Sequence, residues 1–343
     1  MNYIGSKYSL LDFLVNTIQS VVGVNNNLVF ADLFAGTGVV GCKFKELGFQ
    51  VISNDIQYYS YVLNRHLITN TPPLDVANIQ QHLNSLQGIK GFVYNNYCAG
   101  SNSGRNYFTD NNGMKCDAIR NELEMLKNNG DINENQYFYL LASLINSIDK
   151  YANTASIYGA FLKHIKASAQ KDFYLDLLPI IDSEYQNTVY NMDANKLITK
   201  IKGDVLYLDP PYNARQYCTN YHVLETIAKY DNPVLFGKTG LREYSSQKSK
   251  YCSKITVTNE FEELIKNANF KYIFLSYNNE GLMSIETIQN IMKKYGNYDI
   301  FEKPYKRFRA DKENARNHKA NKTNEYIHCL IKYGFPPTPP EFL

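Results

Sequence analysis

The sequence predicts an α/β fold: a mostly parallel sheet split by a mostly helical insert. Three observations carry this. Short apolar runs alternate with amphipathic stretches over residues 1–65, the pattern of βαβ units. The sheet-like runs vanish over 66–185, where helical periodicity and polar Gly/Asn/Ser stretches take over. From Thr188 onward they return. Residues 1–65 and 186–335 are therefore expected to form one split domain, with 66–185 inserted and the Pro-rich 336–343 a flexible tail.

Each element follows in order. Residues 9–22 place Leu10, Leu11, Leu14, Val15, Ile18 and Val22 on one helical stripe, with Ser9 as the expected cap. Leu28 to Leu33 reads as a buried strand running into Phe34-Ala35-Gly36-Thr37-Gly38. A helix from Val39 to Leu47 follows, stopped by Gly48. A second strand, Phe49 to Ser53, closes on Asn54-Asp55. Within the insert, helices are predicted over Asp117–Lys127 and Gln136–Ile148. Later strands are predicted at Thr188–Met192, Asp204–Leu208, Lys271–Ser276, Asp299–Phe301 and Tyr326–Ile331, with a helix at Tyr221–Lys229.

Composition narrows the function classes. Of 343 residues, 44% are hydrophobic, enough for a packed core and too many for a disordered chain. The net charge of +3 gives no strong whole-protein field, so a nucleic-acid partner must be met by local basic patches. Six cysteines without a CxxC pair argue against structural zinc and a disulfide framework, and no metal site is expected. A polar N-terminus without a signal-peptide pattern, and no apolar run of about 18 residues, lead to the expectation of a cytoplasmic protein without a membrane partner.

Three constellations carry chemistry. The first is Asp32, Phe34, Gly36 and Gly38 at the end of one strand, with Asp55 ending the next. Glycines there let a backbone approach a ligand, and Asp55 can accept from a ribose diol. The pattern lacks the third glycine of a dinucleotide fingerprint, and Asp32 disfavours a pyrophosphate, so a ligand with a positive centre, S-adenosylmethionine, fits better than NAD. The second is Asp209-Pro210-Pro211-Tyr212, directly after an apolar strand. The prolines lock an extended backbone and remove donors, leaving a carbonyl, a carboxylate and a flat ring for a planar molecule bearing an amine. The third, Tyr3-Ile4-Gly5-Ser6-Lys7, sets an aromatic and a cation before the first helix.

Taken in this order, these residues resemble the Dam-like DNA adenine-N6 methyltransferases of the D12 class, and the resemblance covers most of residues 1–335. It implies a Rossmann-like class I S-adenosylmethionine-dependent methyltransferase sheet with a helical target-recognition insert. It implies that Tyr3 and Lys7 contact the cofactor, that Asp55 holds its ribose, and that Asp193 sits where the family contacts the cofactor adenine. Asp209, Pro210, Pro211 and Tyr212 match the catalytic tetrapeptide, Asp209 also lying close to the cofactor. Tyr3 stands where close relatives of Dam carry Trp. The implied partner is double-stranded DNA, with a cognate restriction endonuclease as a further candidate.

Two regions outside the motifs are basic. Lys303 to Lys322 is net +6, with Lys306, Arg307, Arg309 and Arg316 among its cations and Tyr305 and Phe308 between them, which reads as a phosphate clamp. Lys238 to Lys254 carries Lys238, Arg242, Lys248, Lys250 and Lys254. In the insert, Arg105 follows the polar stretch Asn95–Gly104 and is a candidate base reader. Two other readings stay open: the same chemistry on cytosine N4 or RNA adenine, and a catalytically dead DNA-binding module. Asp at position 209 favours adenine, and intact Tyr3, Lys7, Asp55 and Asp209 favour an enzyme.

Overall fold

The computed structural model describes residues 3–24, 27–306 and 322–336. The chain first makes a single 3-10 turn, Tyr8–Leu10, that runs into α1 (Leu11–Val22). Ser9 therefore lies inside a turn, and Leu10 occupies the helix N-cap without a side-chain cap bond. The strands are β1 (Val29–Asp32), β2 (Gln50–Asn54), β3 (Thr188–Tyr190), β4 (Lys202–Leu208), β5 (Asn269–Asn278), β6 (Gly296–Lys306) and β7 (Lys322–Lys332). They form one seven-stranded sheet in the order β3-β2-β1-β4-β5-β7-β6. Every pairing is parallel except those of β7, which lies antiparallel between β5 and β6. The sheet is mostly parallel, as expected, with the order reversing between β1 and β4, where α/β sheets bind ligands.

Period-2 alternation divides the sheet into two buried faces. Phe30, Val51, Val205, Tyr207 and Phe274 face α1 and α2 (Val39–Glu46), against Leu14, Ile18, Val40 and Phe44. Ala31, Leu206, Leu208, Ile273 and Leu275 face the other way, onto the helices Val257–Asn267 and Ile285–Met292. Burial on both faces explains why the strands read as short continuous apolar runs.

Residues 66–185 hold the helices Ala77–Ser85, Phe92–Tyr97, Asp110–Asn129 and Glu134–Lys150. Their apolar cluster continues through Tyr59, Val62 and Leu63 of α3 (Tyr58–Asn64) and through Val223, Leu224 and Ile227 of the helix His222–Lys229. The buried Arg120 reinforces the joint, giving Nε to the Ile227 carbonyl at 2.8 Å. That bond meets one of the carbonyls that a helix end leaves without an internal donor.

Candidate active site

The carboxyl ends of β1, β2 and β4 open onto one cleft, lined by Tyr3, Lys7, Asp32, Phe34, Gly36, Asp55, Asp193, Asp209, Pro211 and others. Its empty space, including the part open to solvent, is about 920 Å³. All three sequence constellations therefore meet, although they lie some two hundred residues apart in the chain.

The glycine turn is held by its neighbours. Asp55 accepts from the Gly36 N–H at 2.9 Å and the Gln57 N–H at 2.8 Å, one on each oxygen. Each oxygen keeps a lone pair for a ligand. Burial pushes the Asp55 carboxyl up to about 6, against the pull of those two N–H groups. Gly36 and Gly38 have φ of +51° and +80°, the left-handed region that glycine fills without strain. A Cβ at Gly36 would lie 3.0 Å from the Tyr3 ring, and one at Gly38 would lie 2.8 Å from Asn64 Oδ1. Gly38→Ala should therefore cost about 1–3 kcal/mol of stability, read as a lowered melting temperature. An unchanged melting temperature would show that the turn relaxes around the methyl.

Tyr3 is clasped by aromatic rings. It stacks on Tyr221 at 4.6 Å, and its hydroxyl meets that of Tyr59 at 3.0 Å. The backbone of the next residue is fixed from both sides. The Ile4 N–H donates to the Tyr221 hydroxyl at 2.8 Å, and the Tyr217 hydroxyl donates to the Ile4 carbonyl at 3.2 Å. Lys7 is thereby delivered to the cleft floor, where it lies 3.1 Å from Asp209 Oδ1 and 2.8 Å from Glu325 Oε1. Burial alone would push the Lys7 ammonium toward neutrality, but the two carboxylates override this and hold it well above the usual lysine value. Burial also raises Asp209, to about 6, with Lys7 opposing and Glu325 reinforcing the shift.

The remaining predicted residues divide. Asp32 is buried with Oδ1 unpartnered, and burial plus the nearby Asp209 and Asp55 hold its carboxyl well above the usual range. A cationic ligand alongside would draw it back to the carboxylate. Phe34 packs edge-on against Tyr251 at 5.1 Å. Asp193 lines the cleft and caps the turn Ala194–Leu197, accepting from the Lys196 N–H at 3.1 Å. Tyr212 is half-buried, with its ring edge-to-face on Tyr277 at 6.3 Å and the Lys7 ammonium 5.9 Å from its centroid.

Sequence reasoning missed the opposite wall. Gln247, Ser249 and Tyr251 line the cleft, although their segment read only as a basic loop. Gln216 and Ser249 clasp each other through two bonds, Gln216 Nε2 to the Ser249 carbonyl at 3.0 Å and the Ser249 N–H to Gln216 Oε1 at 2.8 Å. In the same segment, Arg242 is buried in a two-point pair with Asp231, and Lys250 pairs with Glu260 at 2.7 Å. Arg105 gives its guanidinium to the carbonyls of Asn96, Gly237 and Lys238 at 3.1–3.3 Å. Lys306 ends β6 with its side chain outside the description, and Arg307, Arg309 and Arg316 lie outside the described residues.

Residues 3–291 match the family described as D12 class N6 adenine-specific DNA methyltransferase. The chain is 54% identical over 336 residues to the type II methyltransferase M.NlaIII of Neisseria lactamica, covering 97% of this chain and 99% of that protein. It is 36% identical over 315 residues to the type II methyltransferase M.CviAII of Paramecium bursaria Chlorella virus 1, covering 90% and 93%. It is also 42% identical to the type II methyltransferase M.FokI of Planomicrobium okeanokoites, of which it spans 53%. The glycine turn, the Asp-Pro-Pro-Tyr corner and the N-terminal lysine meet in one cleft on the expected sheet, and one family matches most of the chain: it belongs to the D12 class of N6 adenine-specific DNA methyltransferases, enzymes that draw their methyl group from S-adenosylmethionine.

Proposed function

We propose that this chain methylates adenine N6 at a specific site in double-stranded DNA, as the cytoplasmic modification partner of a cognate restriction endonuclease in a prokaryotic or phage setting. The relatives named as type II methyltransferases support the pairing. Among the described residues no helix is long and apolar enough to cross a membrane. The observation that carries the reading is Asp209, presented to the cleft and paired with a buried lysine.

The residues of the cleft fit S-adenosylmethionine. An unpartnered buried carboxyl oxygen on Asp32 suits a cationic ligand, and Asp55 retains acceptors for a diol. Tyr3, Lys7, Phe34, Gly36, Asp193 and Asp209 complete the wall that would hold it, with Gly38 in the turn that carries Gly36. When bound, it supplies a methyl group already activated on sulfur.

Adenine N6 is a poor nucleophile because its lone pair is delocalised into the ring. In this proposal Asp209 accepts one amine hydrogen and the Pro210 carbonyl the other, which favours a pyramidal nitrogen with its lone pair held toward the methyl. Pro211 stiffens the corner, and Tyr212 offers its face to the base. Since N6 lies inside a duplex, the adenine must flip out to reach them. Mass spectrometry of nucleosides, with sequencing of methylated DNA from cells expressing the chain, tests this. N6-methyladenine at one short motif is expected; N4-methylcytosine, or methylation without a motif, would reject it.

Phosphate contacts are proposed for Lys306, Arg307, Arg309 and Arg316. Neutralising Arg307 and Arg309 should weaken binding to cognate and scrambled duplexes alike. The slope of log affinity against log salt should become shallower by about 0.9 for each lost contact. A variant that loses only cognate binding, at an unaltered slope, would make this segment a reader of sequence. Arg105 is proposed to shape the DNA-facing loop of the insert as a brace, because a bidentate base contact would require it to release carbonyls it now holds.

A further inference from the structure

Glu325 belongs to none of the motifs above, yet it reaches the centre of the site. It lies on β7, 6% exposed, opposite Asn278 of β5 and Lys303 of β6. Its Oε1 accepts from the Lys7 ammonium at 2.8 Å and from the Ser276 hydroxyl at 2.9 Å. Lys303 directs its own ammonium over the Phe13 ring, at 5.5 Å. Lys7 thus stands between two carboxylates, with Asp209 on its other side at 3.1 Å.

We propose that Glu325 is a positioning residue for methyl transfer: it anchors the Lys7 ammonium from behind and, through it, sets the charge balance on Asp209. This rests on the reading of Asp209 as the group that holds the adenine amine. A lysine owned by Asp209 alone would satisfy that carboxylate as a counter-ion and weaken it as an acceptor. A shared lysine holds Asp209 in place while leaving it able to draw on the amine hydrogen. The sharing is built in, because Ser276 fixes the Glu325 oxygen that competes for the ammonium. The other titratable groups facing Asp209 are Asp32 from β1, Tyr207 from its own strand and Tyr217 from the segment that follows. Among these groups only Lys7 is a cation.

Glu325→Gln tests the role, since it removes the charge and keeps an acceptor for Lys7 and Ser276. The readout is the single-turnover methylation rate against pH, at saturating S-adenosylmethionine and duplex DNA. In the wild type the rate should fall as pH drops through about 6, where Asp209 gains a proton. The two carboxylates lie within about 6 Å of each other. At that range, removing the Glu325 charge should move the acid limb down by about one to two pH units. Carboxyl carbon-13 NMR of the full chain without cofactor should show the same displacement of the Asp209 titration. An acid limb and an NMR midpoint that both stay at the wild-type values overturn the proposal. Glu325→Asp keeps the charge on a shorter arm, so it should keep the wild-type limb and lose plateau rate. A moved limb on an intact plateau would overturn the proposal even if the Gln variant fails to fold. Asp209→Asn, measured alongside, separates the failures. If it retains transfer, the reading of Asp209 falls and this proposal with it. If it is inactive while Glu325→Gln matches the wild type, only the role of Glu325 falls.

Discussion

Replacing Asp209 with alanine or asparagine should abolish detectable methyl transfer, with a loss of at least about a hundredfold in the single-turnover rate. Two effects combine. Both variants lose the negative charge placed where positive charge develops on the adenine nitrogen, alanine losing the acceptor as well, and Lys7 loses one of its two carboxylates. Asparagine is the cleaner test, because alanine leaves a buried ammonium with a gap beside it, and breaking a buried pair is costly to the fold. Cofactor affinity, measured by calorimetry, should stay within several-fold of wild type, since the proposed main partner of Asp209 is the base. A variant with near-normal single-turnover methylation of duplex DNA would remove Asp209 from the chemistry.

Asp55→Ala should act on the other substrate. Losing charge-assisted hydrogen bonds to a ribose diol should cost about 1.5–3 kcal/mol for each bond. The structure adds a second cost, because the same carboxylate holds the Gly36 and Gln57 N–H groups and so shapes the glycine turn. Affinity for S-adenosylmethionine should therefore fall by ten- to a hundredfold or more, while DNA binding without cofactor stays unchanged. In the wild type, affinity should also weaken as pH falls through about 6, because protonation of Asp55 removes an acceptor. An unchanged dissociation constant would take Asp55 out of the site.

Much of this was legible in the sequence because the signals are local. A strand that ends in Asp32 and runs into two glycines with positive φ can be read from seven consecutive residues. The apolar strands and the long helices of the insert announce themselves by periodicity. The partners that join distant segments were not legible. Glu325 reads as an ordinary acid at the start of an apolar strand, and only the placement of β7 beside β5 brings it to Lys7. The cleft wall at Gln247, Ser249 and Tyr251 was hidden among lysines and read as surface. Arg105 had the chemistry of a base reader, but its environment engages it with three carbonyls. Residue type suggests what a side chain can do, and its neighbours decide whether it is free to do it.

The pairing of Lys7 with Glu325 spans 318 residues. At about 5–20 residues per second on the ribosome, Lys7 is made roughly 15–65 s before its partner. β7 must also slot between β5 and β6. Until it does, β5 presents an open edge from Tyr272 to Asn278 to any passing strand. Translation that stops short of β7 should therefore yield a fragment that cannot methylate and tends to aggregate. Activity should appear only once β7 has joined β5 to β6 and brought Glu325 to a lysine made 318 residues earlier.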